Sequence, residues 1–157
     1  LGYLADMHVT FIKYLTSFFI LASIWVSNNV EYHYVKKTDT KHLWLSLTGL
    51  FFIVLIPFTT SLQDDFSGIL LADILFHIDM FLIQFFLYLR WLHLYNNTNL
   101  TDETRADKKL IQGHLNVVKL KMLIPLAAVF LTLISHDYAN FIYFLFIFIR
   151  LRRRAVN

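Results

Sequence analysis

The 157 residues are 57% hydrophobic and 16% charged, with 16 Phe, 8 Tyr and 3 Trp, against the roughly 25% charged residues of a soluble domain. A soluble chain this short cannot hide so much apolar surface, and two prolines and four glycines leave no flexible linker, so a single helical membrane domain over residues 1–157 is expected. The net charge of +3 comes from Lys and Arg clusters at the edges of apolar runs, which argues against nucleic acid as a partner, and the lack of cysteine excludes disulfides, thiolate metal sites and thiol nucleophiles.

In chain order, the first predicted span is 9–30, with Lys13 close enough to one end to snorkel outward. The polar segment "SNNVEYHYVKKTDTK" separates it from the second span, 43–62, which holds no charge. Twenty residues make a helix of about 30 Å, the hydrocarbon thickness of a bilayer. Pro57 lies near one end of it, where Thr59, Thr60 and Ser61 are placed to satisfy backbone carbonyls. The third span, 67–94, carries Asp73, His77, Asp79, Gln84 and Arg90. The fourth, 117–135, contains Pro125, and the fifth, 138–151, runs into "RLRRR". The predicted class is an all-α integral membrane protein with five transmembrane helices.

Charge sets the orientation. Lys36, Lys37 and Lys41 lie between spans one and two, Arg105, Lys108 and Lys109 between three and four, and Arg150, Arg152, Arg153 and Arg154 at the end of five. The turns "QDDF" and "HDY" carry acids and neither Lys nor Arg. The positive-inside rule then places the basic segments and the C-terminus in the cytoplasm. An external start without Met leads to the expectation that one further helix precedes this sequence.

An ionisable residue near the bilayer centre costs about 2.5–3.5 kcal/mol on insertion scales and needs a partner or a cavity. Asp73 and His77 fall about 40° apart on one helix face, an intramembrane polar pair expected to tie helices together or to line an ion or proton path. They supply two metal-type ligands and no third, so no metal is expected. No glycine-framed nucleophile and no phosphate-binding glycine loop is present, so neither an enzyme nor a cofactor is expected. Arg90, Trp91, His93 and Tyr95 read as a membrane-interface anchor, and Tyr143 with the Phe-rich stretch 141–149 as lipid-facing or packing surface.

Trp25 and Val26, then His33, Lys36, Lys37 and Asp39, then Leu43, Trp44 and Leu45, then Ile56, Pro57, Phe58 and Thr60 follow one another in an order and spacing that resembles the prokaryotic branch of the transmembrane protein 175 family, potassium channels of bacteria, archaea and animal lysosomes. Where family members commonly carry His after the Trp-Val pair, this chain has Asn28 and Asn29. The family's Arg and Phe-Ser-Asp hallmark of the first, pore-lining helix is not among these residues.

The resemblance implies a subunit of six helices, five of them in this sequence, assembled as a homotetramer in the lipid bilayer of a prokaryotic cell. Potassium ions would leak passively through a hydrophobic constriction on the absent first helix, with no carbonyl filter. Trp25, Asn28, Asn29 and His33 would then support the pore helix. Two other classes stay open from the residues alone. One is a proton-coupled secondary transporter using Asp73 and His77; the other is a non-conducting membrane scaffold or a membrane enzyme.

Overall fold

The structure is a computed structural model that describes residues 2–66, 68–102 and 107–134 and positions 139, 142, 143, 145 and 149, with side chains from residue 18 onward. Among the described residues there are four α-helices: α1 (Gly2–Tyr34), α2 (Thr40–Asp65), α3 (Leu70–Asn96) and α4 (Lys108–Ile134), with a 3-10 turn at Thr98–Leu100 between the last two. Helices α2, α3 and α4 are long and apolar enough to cross a membrane. The expected spans 9–30, 43–62, 67–94 and 117–135 map onto α1 to α4 in order. The fifth, 138–151, lies outside the described residues except at Ala139, Ile142, Tyr143, Leu145 and Ile149, so the count of five is not reached.

Each helix end has a local cause. Asp39, in extended backbone, caps α2 by accepting the His42 N–H at 2.8 Å, and Asp107 accepts the Leu110 N–H at the start of α4 at 2.8 Å. The turn into α3 uses Gly68 at φ +86°, a left-handed conformation in which a Cβ is unfavourable. Helix α2 continues through Pro57, as expected, and Thr59 and Thr60 return their hydroxyls to carbonyls just before it, Thr60 to Ile56 O at 2.7 Å.

Helix α4 extends beyond the expected span at its start. It begins nine residues before the apolar run at 117, because Ile111, His114 and Leu115 on that extension are buried against Tyr34 and Trp91. Apolar length predicts where a helix meets lipid; packing extends it into the polar zone.

Helix α3 is the centre of the bundle. Its buried residues cover an arc of about 200°, so it is enclosed by its neighbours rather than facing lipid on most sides. Two cores flank its midpoint. One joins Val30 and Tyr34 of α1 to Trp91, Leu94, Ile111 and Val118 near the basic end. The other joins Ile20 and Ile24 to Ile56, Phe76, Met80 and Ala128 toward the opposite end. Gly49 brings α2 close to α3: a Cβ there would sit 3.4 Å from the Phe86 Cβ.

Candidate functional site

A buried polar cluster ties α1, α2 and α3 together at the basic end. Glu31 and Arg90 are 0% and 4% exposed. The Arg90 guanidinium donates from Nε to both Glu31 carboxylate oxygens, at 3.0 and 2.9 Å, and from Nη2 to Glu31 Oε2. Nη2 also donates to Asn28 Oδ1 at 2.8 Å, and the Tyr32 ring lies beside the guanidinium, 5.6 Å from its carbon. From α2, His42 Nε2 comes within 3.6 Å of Glu31 Oε1. Taking two charges out of water costs several kcal/mol per ion, which only this density of hydrogen bonds offsets.

A second layer closes the membrane edge. Asp39 Oδ2 accepts a hydrogen bond from His93 Nε2 at 2.8 Å while Oδ1 caps α2. The His42 N–H, then the His93 ring, hold the Asp39 carboxyl below the usual aspartate range. The Lys36 and Lys37 N–H groups both donate to Leu100 O, Asp102 N–H donates to Tyr34 O, and Val35 pairs with Thr101 in an antiparallel bridge. The α1–α2 turn is therefore fastened to the α3–α4 connection by main-chain bonds that require no particular side chain.

Within the membrane, the polar residues of α3 serve different neighbours. Gln63 of α2 donates to Asp73 Oδ1 at 2.7 Å. His77 is bonded to Thr132 Oγ1 of α4 and to the Tyr143 hydroxyl, each at 2.8 Å. Because the Thr132 hydroxyl proton goes to Ala128 O at 2.9 Å, His77 donates from Nε2 and accepts at Nδ1 from Tyr143. Both ring nitrogens of His77 are thus engaged away from Asp73. The expected Asp73 and His77 pair shares a helix stripe, but its members bond to different helices. Asp79, which points another way, has Oδ2 3.1 Å from Thr59 Oγ1 of α2.

The four residues expected to support a pore helix divide. Asn28 turns inward to Arg90, and His33 is half-buried with its ring 5.2 Å from that of Tyr34. Trp25 is 67% exposed, and Asn29 and Tyr32 are exposed beside it at four- and seven-residue spacing on the same face. On α2, Trp44, Leu47, Phe51 and Val54 form a similar outward stripe.

Sequence reasoning missed the Glu31–Arg90 pair. Arg90 and Trp91, read as interface anchors, are enclosed by the bundle, as is Lys121, whose Nζ reaches Ser27 Oγ at 3.1 Å. A usable signal existed: one acid and one arginine stand at the same ends of apolar runs, by charge-derived topology on the same side of the membrane.

The fold and its polar seams define a helical integral membrane protein. Residues 1–57 match the family described as Endosomal/lysosomal potassium channel TMEM175, a segment comprising α1, the fastened turn and α2 as far as Pro57. The resemblance seen in the sequence is borne out over that stretch, and the family is one of ion channels rather than enzymes. No curated protein and no solved structure matches the chain.

Proposed function

We propose that the chain is a subunit of a potassium-permeable cation channel that conducts passively through a homotetrameric pore. The family match over residues 1–57 carries this reading. The hydrophobic constriction lies on a helix outside these 157 residues, and the exposed face of Trp25 and Asn29, with Asn28 and His33 beside it, supports that helix. Potassium is the permeant ion and the chain carries no cofactor. The protein resides in a prokaryotic cell membrane with its basic turns and C-terminus in the cytoplasm.

The deciding experiment is potassium flux from liposomes holding the full-length protein, with reversal potentials in mixed K⁺ and Na⁺. Passive flux that shifts with the K⁺ gradient supports the channel. Absence of flux from a correctly folded, reconstituted protein leaves a scaffold instead.

A proton-coupled carrier is the second reading. Its support is Asp79, buried at membrane depth with one carboxylate oxygen, Oδ1, lacking a hydrogen-bond partner among the described residues. Flux that saturates and requires a proton gradient would favour it.

A further inference from the structure

On its outward face α4 changes character along its length. Lys108, Gln112, Asn116 and Lys119 recur at spacings of four, four and three, within about 80° of one another. The same stripe continues as Leu123, Leu126 and Phe130, all exposed. An exposed face that is polar for about 16 Å and then apolar follows the profile of a phospholipid, headgroup first and acyl chain after.

The two lysines are held in a particular way. Lys108 Nζ lies 4.8 Å from the centre of the Tyr95 ring and Lys119 Nζ 5.6 Å from that of Tyr88, both rings on α3. Gln112 Nε2 donates to Asn116 Oδ1 at 3.1 Å between them. Among the described residues, neither lysine is ion-paired to a carboxylate. Each ammonium therefore belongs to an exposed residue and lies against an aromatic ring, where an anionic group can approach it.

The depth is suitable. Lys119 stands about 22 Å from the far end of α4, so its four-carbon stem reaches the boundary of a hydrocarbon layer about 30 Å thick. Tyr88 marks the same level as Lys119, as interfacial aromatics do, and Tyr95 stands about 10 Å further toward the basic end.

From this arrangement we infer that the α3–α4 edge is a binding site for the phosphate of an anionic phospholipid in the leaflet that meets the basic end of the bundle. Lys119 contacts the phosphate, Lys108, about 16 Å further along α4, adds positive charge on the aqueous side of the headgroup, and Leu123, Leu126 and Phe130 receive an acyl chain. Basic positions between membrane helices on that side recognise anionic headgroups in this manner. The site is independent of whether the protein conducts.

The test is thermal unfolding of the purified protein in neutral detergent with added phosphatidylglycerol, compared with phosphatidylcholine of the same acyl chains. Phosphatidylglycerol should raise the midpoint more, with a binding preference on the order of tenfold. The preference should vanish in Lys108→Gln/Lys119→Gln and survive in the charge-matched Lys36→Gln/Lys37→Gln variant. Equal effects of the two lipids, or equal loss in both variants, would overturn the site. Should the first double variant not fold, wild type in about 0.5 M salt gives the same reading, because screening of exposed charges must then abolish the preference. Persistence of the preference at that salt concentration would overturn the site as well.

Discussion

Arg90 of α3 holds Glu31 of α1 through its Nε–H, shared between both carboxylate oxygens, and an Nη2–H, in a volume closed to water, so two parallel helices are joined by charge where their neighbours are joined by apolar packing. The pair is costly to assemble and costlier to break, because a lone partner would remain buried and charged. Glu31→Gln should therefore destabilise the fold by about 3–5 kcal/mol. Replacing both residues by leucine should cost less than the sum of the two single replacements. Thermal unfolding of the four proteins in one detergent measures this, and additive losses would show that the pair is not a unit.

His77 is the corresponding joint between α3 and α4. Substituting His77 by Phe removes the ring nitrogens that bond the Tyr143 and Thr132 hydroxyls, a loss of roughly 1–3 kcal/mol. Thr132→Val alone should also destabilise the protein. The double variant should show a coupling of about 0.5–3 kcal/mol, absent if the two side chains do not touch.

Two glycines predict opposite outcomes for the same change. Gly68 sits at φ +86° with open space around it, so Gly68→Ala should cost about 1–2 kcal/mol from backbone strain alone. Gly113, inside α4 with no atom near a built Cβ, should become more stable as alanine by roughly 0.8–1 kcal/mol. A higher midpoint for Gly68→Ala would contradict the first assignment, and a lower one for Gly113→Ala the second.

Asp39 sets a pH dependence. Its carboxyl is held below the usual aspartate range by the His42 N–H and the His93 ring, so the folded state favours the ionised form. That stability is fully present above the unfolded-state value of about 3.9 and disappears as pH falls through the lower folded-state value. Wild type should melt above Asp39→Ala at neutral pH, and the gap should close below about pH 4. A gap that stays constant down to strong acid would rule out the carboxylate as its source.

Trp25 offers a contrast between stability and assembly. Being largely exposed within the chain, Trp25→Ala should change unfolding of these 157 residues by no more than about 0.5 kcal/mol. In the full-length protein it should lower tetramer yield or current. Wild-type values of both would remove Trp25 from the support of the pore helix.

Much of the helical plan could be read directly from residue order. The charge-free run 43–62 meets the length of a bilayer, and the alternation of basic and acidic turns assigns sides without any coordinates. The block from Trp25 to Thr60 carried the resemblance to the family whose model matches residues 1–57, because order and spacing of rare residues survive in one dimension.

Partnership could not be read in that way. Asp73 and His77 are neighbours on one helix face, and helical spacing alone pairs them, yet Gln63, Thr132 and Tyr143 approach from other elements and take those hydrogen bonds. Arg90 resembles an interfacial anchor by its position near a helix end and becomes a buried clasp because α1 brings Glu31 and Asn28 against it. Hydropathy and charge sum along a chain and set what must enter the membrane and which end faces which side. Which polar groups meet depends on how helices rotate and dock, a matter of distances between residues some sixty positions apart.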